Sequence, residues 1–189
     1  MNMKSVFLTG ASGVGKSTTY RSMVELGFTP SPNHLTRPPR SSEIEGFDAH
    51  FISVEQFAAN MAIKAYLETT MEEAEYGGVY YGSPVSWELD AQIDKPPFVA
   101  IPSNAVALRG LFHRLSEQNK RDTLIWANLH APLNTRHERV SAYISDPVQL
   151  HNRLHNGIGQ GTKPDADINI DTSLHSPSEV LEQVLALVK

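Results

Sequence analysis

The sequence predicts an α/β fold in which a parallel sheet is flanked by helices. Three observations carry that prediction. Short apolar runs alternate along the chain with stretches of helical spacing, the runs are bounded by Gly and Pro, and the first of them feeds a glycine-rich loop that opens a helix. With 189 residues the chain is long enough for one sizeable core and short for two independent domains, so residues 1–189 are read as one domain carrying inserted segments.

The elements follow in order. SVFLT (5–9) is an apolar run ending in Gly, and STTYRSMVELGF (17–28) has helical spacing, with Tyr20, Met23, Val24 and Phe28 available for packing. Pro30, Pro32, Pro38 and Pro39 mark a non-helical segment from Thr29 to Arg40. AHFIS reads as a strand, and Ser53 with Gln56 forms a capping-box pattern that opens a helix. AYLETTMEEAEYGGVYYGSP reads as two strands joined at Gly77-Gly78, and PVSWELDAQID as a helix.

After the Pro96-Pro97 break come a buried strand (FVAI), an amphipathic helix (NAVALRGLFHRLSEQ) and a second buried strand (TLIWANL). Helical stretches follow around NTRHERVSAYI and DPVQLHNRLHN, then a loop (GIGQGTKPDA), a strand (DINID) and a closing helix capped by Ser176 and Glu179. The strands between Ser31 and Ser83 are short, partly polar and turn-linked, which reads as an inserted subdomain.

Composition narrows the function classes. The net charge of −5 gives no global attraction to nucleic acid, so any anion binding must be local. The absence of cysteine excludes disulfides, thiol catalysis and thiolate metal sites. MNMKSVFLTG runs into a strand-like segment without a signal-peptide pattern, and no stretch approaches ~20 uninterrupted apolar residues. The expectation is a cytoplasmic protein, monomeric or homodimeric, acting on small molecules rather than on nucleic acid or membrane.

The chemistry is concentrated in GASGVGKSTT. Gly10, Gly15, Lys16 and Ser17 fit G-x-x-x-x-G-K-[ST] between a strand and a helix, the context a phosphate-binding loop requires. Glycines at 10, 13 and 15 let successive N–H groups turn inward around an anion, and the following helix adds its positive end. Ser12, Gly13, Val14, Gly15, Lys16, Ser17 and Thr18 are the expected ATP-binding residues, with Lys16 reaching the β- and γ-phosphates and Ser17 holding Mg²⁺. TRPPR (36–40) places two guanidinium groups on a Pro-stiffened turn, a geometry suited to bidentate binding of phosphate oxygens. His151 and His155 stand four apart without a third metal ligand, and GIGQG follows no strand, so neither reads as a site.

GASGVGKST, LTRPPR, GFDAHFIS and GVYYGS stand in the order and near the spacing of the guanylate kinase motifs, and the chain resembles that family over about residues 4–85. The C-terminal half is similar mainly in element order. The resemblance implies a P-loop kinase core with an inserted acceptor-binding subdomain (31–85) and a lid (132–162), and transfer of the ATP γ-phosphoryl group to a nucleoside monophosphate with Mg²⁺ as cofactor. By position it implies that Arg37 and Arg40 grip the acceptor phosphate with Tyr81. Asn33, Glu72 and Ser83 face the base, while Lys16, Arg139 and Arg153 carry the transfer.

The chain departs from the family pattern at four places. Ala49 stands where the family has a phosphate-binding Tyr, FVAIPSN replaces a strand ending in D-x-D, Asn33 replaces a Ser, and Tyr143 replaces the second arginine of R-x-x-x-R. Three outcomes are open: a GMP or dGMP kinase using Arg136 or Arg139, a kinase of a modified nucleotide or of a phosphorylated sugar such as ribose 1,5-bisphosphate with Ser103 or Asn104 in place of the carboxylates, and a non-catalytic binding module.

Overall fold

The apolar runs sort into two sheets. The computed structural model describes residues 3–72, 78–86, 96–102, 105–117, 121–155, 163 and 165–189. In chain order its elements are β1 (Ser5–Thr9), α1 (Lys16–Glu25), β2 (Thr29–Pro30), β3 (His34–Leu35), β4 (His50–Phe51), α2 (Val54–Ala62), β5 (Tyr66–Glu72), β6 (Val79–Pro84) and β7 (Phe98–Ala100). There follow α3 (Ala105–Glu117), β8 (Leu124–His130), α4 (Leu133–Ser141), α5 (Pro147–His155), β9 (Ile168–Asp171) and α6 (Pro177–Val188).

The fully apolar runs form a five-stranded sheet of order β2-β7-β1-β8-β9, parallel throughout. Both faces are covered, as continuous apolar strands require. On one face Val6, Leu8, Ile125 and Leu129 pack against Met23 of α1 and Val184 of α6. On the other, Phe7 meets Phe98 edge-on at 5.5 Å and Phe112 of α3 at 6.3 Å.

Polar residues interrupt the second face at Ser5, whose Oγ accepts the Phe98 N–H (3.1 Å), and in a row at the other end of β1. Thr9, Asn128 and Asn169 are in register on adjacent strands. The Trp126 indole N–H donates to Thr9 Oγ1 (2.8 Å), the Thr9 hydroxyl donates to Asn128 Oδ1 (3.0 Å), and the Asn128 amide donates to Asn169 Oδ1 (2.9 Å). Each buried polar group in this row is satisfied, so the row costs little and fixes the carboxyl end of β1, where the glycine loop begins.

The shorter strands form a second sheet of order β4-β3-β6-β5, with β3–β4 parallel and the other pairs antiparallel. Phe57 of α2 is buried against this sheet and stacks on Tyr66 at 4.8 Å. Gly82 is required there, because a Cβ would lie 2.6 Å from the Tyr66 ring.

Several boundaries differ from the sequence expectation for local reasons. The first helix, expected through Phe28, stops at Glu25. Gly27 adopts φ 99°, and the N–H groups of Gly27 and Phe28 bond to the carbonyls of Val24 and Met23, a Schellman closure. The strand expected over AHFIS shortens to two residues, and the proline-rich segment supplies the two-residue strands β2 and β3. The helix expected through Ile144 ends at Ser141. Most of the helix expected over PVSWELDAQID, the turn residue Gly77, Ser103 and Asn104, and most of GIGQGTKPDA lie outside the described residues. Among the described residues no helix is long and apolar enough to cross a membrane.

Candidate active site

The glycine loop follows the central strand β1, whose neighbours β7 and β8 lie on opposite sides, so it opens at the switch point of the sheet where α/β proteins place ligands. Gly10 has φ 135°, and a Cβ there would sit 2.1 Å from the Leu129 carbonyl oxygen; Gly13 has φ 82°, and a Cβ would sit 2.9 Å from Val140 Cγ2 and 3.0 Å from the Arg136 carbonyl oxygen. The loop is thus pressed against β8 on one side and α4 on the other, and only glycine permits either contact.

A cleft of about 770 Å³ opens at this loop, lined by every residue from Ser12 to Thr18 together with Arg40, Glu43, Arg139, Tyr143 and Arg153. Lys16 folds back across the loop and donates to the carbonyls of Gly10 (2.7 Å) and Ala11 (2.8 Å). Burial, and then the positive charges of Arg153 and Arg136, push its pKa down to about 8. At neutral pH it remains a cation, in surroundings that favour the arrival of an anion.

The three arginines of α4 and α5 divide into two roles. Arg136, 3% exposed, donates through Nε to the Ser12 carbonyl (2.9 Å) and through Nη2 to the Leu154 carbonyl (2.6 Å), tying both helices to the loop. Arg139 donates to the Gly13 carbonyl (3.3 Å), Thr172 Oγ1 (2.9 Å) and the Thr172 carbonyl (2.7 Å), which fixes it as a wall of the cleft. Arg153 instead has a buried Nε with no hydrogen-bond partner among the described residues. It lines the same cleft as Lys16 and Arg40, and its charge acts on both.

That turn is organised by a residue the sequence reading passed over. Glu43 receives Nη1 and Nη2 of Arg37 at 2.6 and 2.7 Å, the Arg40 backbone N–H at 2.8 Å and Arg40 Nη1 at 3.3 Å. Burial alone would raise the Glu43 pKa, yet these bonds hold it down at about 2. Arg37 is raised: burial opposes its charge, but Glu43 and then Tyr81, which lies within hydrogen-bonding reach, outweigh that. Arg40 is lowered by burial and by the neighbouring charges of Arg153 and Arg37. The signal for Glu43 was present in the sequence as a carboxylate three residues beyond Arg40.

Asn33 and Ser83, two of the expected base-facing residues, are not among the residues that line the cleft. Asn33 donates to the Ile101 carbonyl (2.6 Å) and accepts from the Ser83 hydroxyl (3.3 Å), clasping the second sheet to the end of β7. Glu72 closes β5 opposite Val79. Ala49 is buried and offers no donor. Tyr143 is exposed and lies on the cleft wall beside Arg139. Among the described residues no group of three or more His, Cys, Asp and Glu could hold a metal, and His151 and His155 face each other at 4.3 Å as an exposed pair.

A parallel sheet, a glycine cradle at its switch point and a facing arginine turn define a P-loop kinase fold. Residues 2–87, a little under half of the chain, match the family model described as guanylate kinase. It is 43% identical over 83 residues to a guanylate kinase of Thermosynechococcus vestitus, covering 42% of this chain and 40% of that one. It is 35% identical over 116 residues to a guanylate kinase of Mycoplasmopsis synoviae, covering 57% and 56%. The matched segment spans about two fifths of the length of most of these curated relatives. The crystal structure of guanylate kinase from Anaplasma phagocytophilum shares the fold across 99% of this chain and 85% of its own, with a TM-score of 0.60 at 17% identity.

Proposed function

We propose that this chain transfers the γ-phosphoryl group of ATP to a nucleoside monophosphate, GMP or dGMP or a modified nucleotide, in the manner of guanylate kinases. The observation that carries the reading is the position of Arg153, a cation acting on both Lys16 of the cradle and Arg40 of the turn. Phosphoryl transfer asks the protein for positioning and charge neutralisation more than for covalent chemistry.

In this reading the cradle and Lys16 hold the donor phosphates, Arg37, Arg40 and Tyr81 hold the acceptor phosphate, and Arg153 meets the charge on the group in transit. An oxygen of the acceptor phosphate forms the new bond to the γ-phosphorus as the bond to the β-phosphate oxygen breaks and ADP leaves. Arg136 and Arg139 hold the loop and the helices around it. Asn33, Glu72 and Ser83 face the acceptor's base or sugar. The second sheet serves as the acceptor subdomain (31–85), and α4 and α5 belong to the lid (132–162).

The donor set fits Mg²⁺ held through substrate: Ser17 Oγ would be its protein ligand, with phosphate oxygens and water completing the shell, as this ion usually prefers. Bound there, Mg²⁺ would neutralise phosphate charge and help align the oxygens.

A second reading, a phosphorylated sugar such as ribose 1,5-bisphosphate as acceptor, is favoured by one observation. Asn33 and Ser83 are hydrogen-bonded to each other rather than open to a base. One assay separates the two. ADP release with Mg·ATP is followed against nucleoside and deoxynucleoside monophosphates and ribose phosphates. A purine monophosphate as the strongest acceptor is the expected result; a strong response only to ribose phosphates establishes the second reading, and silence across the panel with ATP still bound overturns both.

A further inference from the structure

Arg37 and Arg40 are two like charges on one short turn, and Arg40 is disfavoured as a cation by burial and then by the charges of Arg153 and Arg37. Without a counterweight, two long side chains would diverge into solvent, and a ligand would have to gather them at a cost in side-chain entropy. The turn contains such a counterweight in Glu43.

Its bonding closes in two ways. The Glu43 N–H donates to the Arg40 carbonyl (3.0 Å) while the Glu43 carboxylate accepts from the Arg40 N–H (2.8 Å), a reciprocal pair that locks the backbone across Ser41 and Ser42. The same carboxylate takes the two terminal nitrogens of Arg37 end-on, and Arg37 Nη1 also donates to the Pro38 carbonyl (2.9 Å). The Nε of Arg37 is then left buried without a hydrogen-bond partner among the described residues. A guanidinium has two bidentate faces; Glu43 occupies the end face of Arg37, and Tyr81 also lies within hydrogen-bonding reach of this side chain. The Arg37 side chain lies over Phe51, its guanidinium carbon 5.5 Å from the ring centroid, which restricts it further.

We propose that Glu43 is a positioning residue for acceptor binding: it holds Arg37 and Arg40 in one orientation so that a phosphate dianion meets a preformed fork. This rests on the reading of the turn as the acceptor-phosphate site. A rival reading of the same contacts makes Glu43 a stand-in anion that the phosphate must displace, and the two predict opposite signs.

The test compares wild type, Glu43→Gln and Glu43→Asp. Gln keeps the size but loses the charge, while Asp keeps the charge but falls one methylene short. For positioning, the KM for GMP rises about tenfold in Glu43→Gln, consistent with the loss of a charge-assisted bidentate pair. Asp gives an intermediate value, and the KM for Mg·ATP is unchanged in both. Thermal denaturation of the three proteins identifies any loss of fold, which would lower the apparent kcat and leave both KM values in place. An unchanged or lower KM for GMP in Glu43→Gln overturns the proposal.

If wild type transfers phosphate to no acceptor, the functional reading fails and the role of Glu43 is decided by binding of inorganic phosphate, titrated calorimetrically. Weaker binding to Glu43→Gln than to wild type supports positioning; equal or tighter binding overturns it.

Discussion

The two ends of the cleft handle positive charge in opposite ways. At the cradle, Lys16 stands with Arg136 and Arg153, burial and mutual repulsion hold the Lys16 pKa down at about 8, and carbonyl oxygens rather than a carboxylate receive its protons. At the arginine turn, Glu43 is bonded to both cations and holds them in place. The cradle stores electrostatic cost that an anion relieves on arrival, whereas the turn has its cost offset within the protein. The first arrangement favours tight binding of a polyphosphate; the second favours orientation of a single phosphate.

Lys16→Met breaks the comparison most severely. Phosphoryl transfer is expected to fall by about a thousandfold or more, the scale of losing a charge that stabilises the transition state. Stability of the ligand-free protein should move the other way. Unfolded lysine titrates at 10.5 and folded Lys16 at about 8, so below pH 8 both states are protonated and the folded state carries the full cost. Between pH 8 and 10.5 the unfolded state binds more protons, and stability from this group rises with pH. Removing the charge at pH 7 should stabilise the empty protein by roughly 1–3 kcal/mol, seen as a higher Tm by calorimetry. A lower Tm would show that the bonds from Lys16 to Gly10 and Ala11 outweigh its burial.

Arg153→Gln comes next, because it removes the cation shared by the two ends. The expected result is a fall in kcat of about a hundredfold, with changes of only a few-fold in the KM for either substrate. A loss confined to one KM would place Arg153 at one end only, and the distinction between the ends would need redrawing.

The two ends were also unequally legible in the sequence. A cradle made of backbone N–H groups needs glycines, a lysine and a hydroxyl at fixed spacing within one short stretch, so the demand is local and written locally. The turn's arginines could be read as phosphate ligands, but Glu43 could not be weighed, since a loop has no periodicity to show which acid faces which base. Arg136 was harder still. The sequence offers it as a lid arginine that could serve the transfer, but its bond to Ser12, 124 residues away, appears only once α4 packs against the loop. Asn33 could be placed near Ser83 by motif order, but the bond between them and the one from Asn33 to Ile101 come from the meeting of two sheets. The strands β2 and β3 contain too few residues to show alternation against their prolines.

Gly13→Ala tests how firmly the cradle is pressed on α4. The added methyl would meet Val140 at 2.9 Å and the Arg136 carbonyl oxygen at 3.0 Å, at a φ of +82° that alanine rarely adopts. A destabilisation of about 1–3 kcal/mol is expected in urea unfolding, with weakened ATP binding and the KM for the acceptor nearly unchanged. An equal loss at the turn would mean that the two ends move as one body.

Arg21→Gln has the smallest expected effect and bears most directly on whether the ends are coupled. Arg21 leaves α1, the helix that begins at the cradle, and meets Asp48 at 2.6 Å, while Asp48 also accepts the Ile44 N–H at 2.9 Å beside the arginine turn. The Arg21 side chain is 40% exposed, so solvent screens the pair and its removal should cost less than about 1 kcal/mol, diminishing further in high salt. The informative quantity is the coupling between ligands. With independent ends, the affinity for GMP with and without a bound ATP analogue changes equally in Arg21→Gln. A change of more than a few-fold in the ratio of those affinities would make the Arg21–Asp48 contact part of a link from cradle to turn, with the same factor required for nucleotide binding in the presence of GMP.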